Sequence, residues 1–96
     1  MNYDDLNDRL FNFAIRSIHF LKSLPDTPEF KTIRYQLSKC STSSGANYEE
    51  AQAASSRADF NSKVRISLRE MRESNYWYRI INPHYSCKNA VHCMNV

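Results

Sequence analysis

Apolar residues recur at three- and four-residue steps over most of the chain, which is the periodicity of an amphipathic α-helix. The first such stretch predicts a helix from about Asp4 to Leu24. Asp4 and Asp5 suit its start because carboxylates cap free backbone N–H groups and match the positive end of the helix dipole. Pro25 disfavours helical geometry at the preceding residue, so the helix is expected to stop there.

A second helix is predicted to begin after Thr27, an N-cap residue that is followed by Pro28 and Glu29. No residue except Gly45 interrupts its pattern. One stripe of this helix carries Phe30, Ile33, Leu37, Cys40, Ser44, Tyr48, Ala51 and Ser55.

A third helix is predicted from near Ser56 or Asp59 to about Ile81. Its near-heptad seam carries Phe60, Val64, Ser67, Met71, Ser74, Tyr78 and Ile81. A second strip beside the seam carries Lys63, Ile66, Glu70, Glu73 and Trp77. Apolar residues therefore cover more than the single stripe that one partner would bury, so we expect contacts with the same chain and with a second subunit.

Gly45 is the only glycine in the chain and lies where small residues replace large ones in the second helix. A mid-helix glycine costs about 0.5–1 kcal/mol relative to alanine, so its presence predicts the close approach of another backbone. Asn47 lies beside it with Ser43 and Thr42 and is expected to hydrogen-bond across that crossing, a ligand pocket being the minor alternative. The residues predicted to form the helix crossing or the oligomer interface are Ser43, Gly45, Asn47, Ile66, Glu70, Glu73 and Trp77.

Together these patterns predict an all-α, antiparallel up-down helix bundle of three long helices in residues 1–81. The periodicity is lost in residues 82–96, which are predicted to be an irregular tail or a truncated fourth helix. No segment approaches the roughly 20 apolar residues that span a bilayer, and the acidic N-terminus is not a signal peptide. We therefore expect a cytoplasmic protein with reduced cysteines.

The opposite side of the third helix carries a basic row, which we call the arginine stripe: Arg65, Arg69, Arg72, Tyr76 and Arg79. Guanidinium groups pair bidentately with phosphates and a tyrosine can stack on a base, so RNA or DNA is one predicted partner. The alternative is a solvated helix face supported by local pairs such as Glu73 with Arg69. A net charge of +3 fits an anionic partner without requiring one.

Two further groups of polar residues could carry chemistry, and the sequence favours a structural interpretation of both. Paired carboxylates such as Glu70 and Glu73 can do acid–base work, but interface ion pairs with Lys39 or Lys63 are favoured, since no nucleophile or metal cluster accompanies them. Zinc binding is disfavoured for the tail residues because adjacent ligands rarely fit one tetrahedron; these residues are His84, Cys87, His92 and Cys93. We therefore expect no enzymatic activity, no metal and no cofactor.

Two segments, QLSKCSTSSGANYEEAQAAS and ADFNSKVRISLREMRESNYW, resemble the bacterial four-helix bundle family of 23S rRNA intervening-sequence proteins. The matching positions on the second helix are Gln36, Leu37, Lys39, Thr42, Ser43, Gly45, Ala46, Asn47, Glu50 and Ala51. Those on the third are Asp59, Phe60, Lys63, Ile66, Leu68, Glu70, Glu73, Tyr76 and Trp77. The resemblance implies a non-enzymatic up-down bundle that assembles into a homopentameric ring. Relatives include the accessory protein of diversity-generating retroelements, which implies nucleic acid and a reverse transcriptase as partners.

The chain departs from the family pattern at three places. Cys40 and Ser44 are mild changes, whereas residues 82–96 do not resemble the fourth amphipathic helix of the family. The expected outcomes are a three-helix bundle, a partner that fills the uncovered groove, or an unstable product. A protein-interaction scaffold, with an apolar groove near Trp77 and Tyr78 that binds a partner helix, is thus the alternative to nucleic-acid binding.

Overall fold

The computed structural model describes the backbone of residues 3–84 and the side chains of residues 5–83. This part of the chain is all-α and contains no strand. Its helices are α1 (Tyr3–Leu21), α2 (Pro28–Gln52) and α3 (Arg57–Ile81), followed by a short 3-10 turn over Asn82–His84. The rest of the predicted tail lies outside the described residues. No helix in the described part combines the length and the apolar character that crossing a membrane requires.

The helix starts follow from local capping chemistry. The hydroxyl of Thr27 accepts a hydrogen bond from the backbone N–H of Phe30 at 3.2 Å, with Pro28 in the first turn of α2. The hydroxyl of Ser56 accepts from the backbone N–H of Asp59 at 3.0 Å and starts α3. The predicted N-cap at Thr27 is confirmed, and of the two predicted starts of the third helix the structure selects Ser56.

The predicted end of α1 at Leu24 is wrong, because the helix stops at Leu21. The next residues form a tighter turn in which the backbone N–H of Leu24 donates to the carbonyl of Leu21 at 3.3 Å. Ser23 supports this turn, since its hydroxyl donates to the carbonyl of Phe20 at 2.7 Å. Pro25 disfavours helical geometry at Leu24, and the chain leaves the α-helix about one turn before that residue.

Contacts between helix ends establish the antiparallel arrangement. The side-chain amides of Asn7 and Gln52 exchange hydrogen bonds of 2.9 and 2.8 Å, which joins the start of α1 to the end of α2. Lys63, near the start of α3, forms an ion pair of 3.3 Å with Glu50, near the end of α2. Each consecutive pair of helices therefore runs in opposite directions.

The core lies where α1 and α3 meet over the first half of α2. Tyr78 is 1% exposed, its ring centroid lies 5.4 Å from that of Phe20, and its hydroxyl donates to Ser17 at 2.8 Å. Leu37 and Ile81 are fully buried beside it. Tyr78 thus connects α1 with α3, and the prediction that it borders an open groove is wrong.

The contact between α2 and α3 is polar as well as tight. Ser44 donates to the carbonyl of Ser67 at 3.1 Å, and Ser67 donates to the carbonyl of Ser44 at 2.7 Å. Farther along the same seam, Ser74 donates to the sulfur of Cys40 at 3.2 Å. A hydroxyl reaches a carbonyl of another helix only where the two backbones are close, so small residues are required along this seam.

Candidate nucleic-acid interface

The arginine stripe lies on the outer face of α3. Its members follow one another at steps of four, three, four and three residues, which places them on one side of the helix. All five side chains are exposed. The row from Arg65 to Arg79 is about 21 Å long at 1.5 Å per residue.

Along α3, the exposed charged side chains are all positive, whereas the acidic side chains are partly buried. Every exposed charged residue of this helix is an arginine; they are Arg57, Arg65, Arg69, Arg72 and Arg79. Its other charged residues are partly buried; they are Asp59, Lys63, Glu70 and Glu73. The outer face of α3 therefore has one sign of charge, although the helix as a whole contains both signs.

The carboxylates next to the stripe have partners within the chain. Glu70 forms an ion pair of 3.5 Å with Arg69, and Glu73 accepts a hydrogen bond of 3.1 Å from the indole N–H of Trp77. The local Glu–Arg pair therefore involves Glu70, not Glu73. Exposed ion pairs are worth at most about 1 kcal/mol, so this contact leaves Arg69 available to a phosphate.

The two lysines proposed as partners of these carboxylates lie elsewhere within the chain. Lys63 pairs with Glu50, as described above, and the ammonium of Lys39 lies 6.0 Å from the ring centroid of Tyr35. Glu70 and Glu73 therefore pair with neither lysine within the chain, and the predicted ion pairs across an interface stay a prediction.

Tyr76 has a defined setting within the stripe. The guanidinium carbon of Arg79 lies 6.0 Å from its ring centroid, which is a cation–π arrangement. The ring of Trp77 meets it edge-on with centroids 5.2 Å apart. Tyr76 is thus supported from one side while half of its surface stays exposed.

The residues predicted for a helix crossing or an oligomer interface fall into two groups. On α3, the half-buried members are Ile66, Glu70, Glu73 and Trp77, and Trp77 packs against the core. On α2, Asn47 donates to the carbonyl of Ser43 at 2.9 Å, within its own helix. The prediction that Asn47 bonds across the crossing is therefore wrong. Ser44 and Ser67 form the hydrogen bonds between the helices instead. Their positions on the predicted helix stripes are the sequence feature that could have indicated this contact.

Gly45 faces α1. A Cβ atom at this position would lie 3.4 Å from the Cβ of Leu10 and 3.6 Å from its carbonyl carbon and oxygen. The glycine also borders an open cavity of about 280 Å³ between the two helices, which we call the α1–α2 groove. The groove is lined by Asn7, Leu10, Phe11, Ala14, Thr42, Gly45, Ala46 and Glu49.

Cys40 is the only described residue whose side chain could serve as a thiol nucleophile, and its setting argues against that role. It is buried, and burial raises the pKa of its thiol above the ordinary value of 9.0. The hydrogen bond from Ser74 lowers the pKa, while Glu73 and Glu70 raise it further. The group stays protonated at neutral pH, whereas a reactive cysteine needs a lowered pKa and access to solvent.

Metal binding finds no support in the described part of the chain, where no three His, Cys, Asp or Glu residues are grouped to hold an ion. The four tail residues considered for zinc lie outside the described side chains.

Comparisons with known proteins agree with the helical architecture. The family model of the 23S rRNA-intervening sequence protein matches residues 5–91. A crystal structure of a protein of unknown function from the S23 ribosomal protein family of Bacteroides thetaiotaomicron VPI-5482 is 30% identical, with a TM-score of 0.89. The similarity covers 99% of this chain and 87% of that one. No curated protein matches the chain. Because the family model spans most of the sequence, the chain belongs to the 23S rRNA-intervening sequence protein family.

Proposed function

We propose that this protein is a non-enzymatic nucleic-acid-binding protein whose arginine stripe contacts phosphates. The observation that carries the proposal is that every exposed charged residue of α3 is an arginine. A row about 21 Å long that carries four arginines and no exposed carboxylate can follow a phosphate backbone, because guanidinium groups pair with phosphates and release bound counterions. The family description, which refers to 23S rRNA, supports RNA as the first ligand to test.

The number of stripes in an assembly determines how strongly such a surface binds. We propose that the protein forms a homo-oligomer, in which each copy contributes one arginine stripe. Weak sites on one rigid assembly gain effective concentration, so the assembly binds a long strand more tightly than a single copy does. The pentameric ring remains an expectation carried by the resemblance alone.

The first experiment is a fluorescence titration of labelled mixed-sequence RNA at two salt concentrations. We expect the double variant Arg69→Ala/Arg72→Ala to bind more weakly and to flatten the dependence of log K on log salt by about 1.4, for two lost contacts to a single strand. The matched control is Lys31→Ala/Lys39→Ala, which removes two exposed positive charges of α2 that lie outside the stripe and outside the α1–α2 groove. Equal losses in both variants, or binding that does not respond to salt, would overturn the proposal.

Protein association is a second candidate function, and the α1–α2 groove is the observation that favours it. Phe11 is 60% exposed at its edge, and Ile15 is also exposed next to it. A neighbouring cavity of about 260 Å³ continues the groove along α1 toward Lys22. With Glu49 at one end and Lys22 at the other, a second copy that docks in the antiparallel sense places opposite charges together.

A further inference from the structure

Two large apolar side chains interrupt the outer face of α3, and phosphate contacts do not explain them. Leu68 is 51% exposed and Tyr76 is 50% exposed. They form one row with Arg72, because the three residues are spaced four apart along the helix. The row therefore alternates apolar and cationic groups over about 12 Å.

Tyr76 presents a supported stacking platform within this row. Trp77 meets its ring edge-on with centroids 5.2 Å apart, and the guanidinium of Arg79 lies over the ring at 6.0 Å. Nucleobases stack on aromatic rings and on guanidinium planes. Because the neighbouring side chains already restrict the ring, Tyr76 loses little conformational entropy when a base stacks on it.

A single strand and a duplex offer different groups to such a surface. In a duplex the faces of the bases are stacked on one another, so a helix on the outside meets phosphates and base edges. In a single strand the base faces are free to stack on exposed aromatic and apolar side chains. Only the single strand can use Tyr76 and Leu68 as well as the arginines.

We propose that the arginine stripe binds single-stranded nucleic acid in preference to duplex, with a base stacked on Tyr76 and the flanking phosphates held by Arg72 and Arg79. This inference rests on the function proposed above, and it adds the class of ligand. It assigns to Tyr76 a contact that a purely electrostatic surface would not need.

The experiment compares a labelled RNA strand of about 12 nucleotides, within the range of known single-strand sites, with its own duplex at equal salt. We expect the strand to bind more tightly and to change the fluorescence of Trp77, which is the only tryptophan and touches Tyr76. Tyr76→Ala should weaken strand binding by about 5- to 150-fold while changing duplex binding little. Tyr76→Phe, which keeps the ring, should retain the preference.

The control is Tyr35→Ala on α2. Tyr35 is 63% exposed and has Lys39 over its ring at 6.0 Å, so it matches Tyr76 in exposure and in cation contact but lies away from the stripe. Circular dichroism verifies that both variants keep their helix content. Equal affinity for strand and duplex, with arginine dependence retained, would overturn this inference and leave the proposed function standing. Failure to bind either ligand would overturn both, and equal losses in the two tyrosine variants would remove the role of Tyr76.

Discussion

Gly45 illustrates, at the scale of a single residue, how α1 and α2 approach each other. The position of its absent Cβ is 3.4–3.6 Å from atoms of Leu10, which is the range of ordinary van der Waals contact. One methyl group therefore fits between the helices, whereas a longer side chain would press on the backbone of α1 or turn into the groove. The limited space explains why a small residue occupies position 45, although alanine would also fit there.

We expect Gly45→Ala to raise the free energy of unfolding by about 0.5–1 kcal/mol, because alanine is the better helix former and its methyl fits. Gly45→Leu should lower it by about 1–3 kcal/mol through overpacking. Urea denaturation measures both changes. Lys31→Leu, at an exposed position of the same helix, controls for leucine itself. A destabilised Gly45→Ala, or a fully stable Gly45→Leu, would show that the spacing of the helices differs from that described.

At the scale of the elements, the α2–α3 seam is held by an exchange of hydrogen bonds between two serines. Ser44 and Ser67 each donate to the carbonyl of the other, and their hydroxyl oxygens lie 3.4 Å apart. Each hydroxyl thereby bonds to a helical carbonyl of the neighbouring helix. The pair thus sets both the distance and the axial register of the two longest helices.

We expect Ser67→Ala to lower the free energy of unfolding by about 1 kcal/mol, because it removes a buried hydrogen bond and leaves Ser44 with one partner fewer. In a double-mutant cycle with Ser44→Ala the losses should not add, since the two hydroxyls share a contact. Ser62→Ala, at an exposed position of α3, is the control. If Ser67→Ala costs no more than the control, the seam is held by packing alone.

Local chemistry explains why some features could be predicted from sequence. Thr27 and Ser56 each cap a helix by accepting a hydrogen bond from the backbone N–H three residues ahead. The residues that determine each cap therefore lie within a short stretch of sequence. The partners of Ser44 and Tyr78 depend on how each helix is rotated against the others, which a periodic pattern leaves open. The arginine stripe lies on one exposed face of α3, as its helical spacing requires, whereas its ligand remains a proposal.

At the scale of the whole molecule, the two candidate binding surfaces lie on different helices. The arginine stripe occupies the outer face of α3, while the α1–α2 groove is formed by the other two helices. A partner in the groove would therefore leave the stripe accessible. Assembly and nucleic-acid binding can thus be altered independently by mutation.

We expect the wild-type protein to have a solution mass above that of one 11.3 kDa chain, and Phe11→Asp to reduce it, because a carboxylate at the groove edge opposes burial. Light scattering at several concentrations measures the mass. Leu68→Asp introduces the same charge at an exposed apolar position outside the groove and should leave the mass unchanged. A monomeric wild-type protein, or an equal effect of both variants, would contradict a role of the groove in assembly.

Because Cys40 is buried, the rate at which its thiol is alkylated can report how often α2 and α3 separate. An alkylating reagent reacts with a thiolate, yet this sulfur lies beneath the α2–α3 seam, hydrogen-bonded to Ser74, with its pKa raised by burial. Its labelling rate therefore reports how often the two helices part in the native ensemble. Mass analysis of the peptide that contains Cys40 separates this signal from Cys87 and Cys93. Opening could then be followed with and without RNA, with no probe added to the chain.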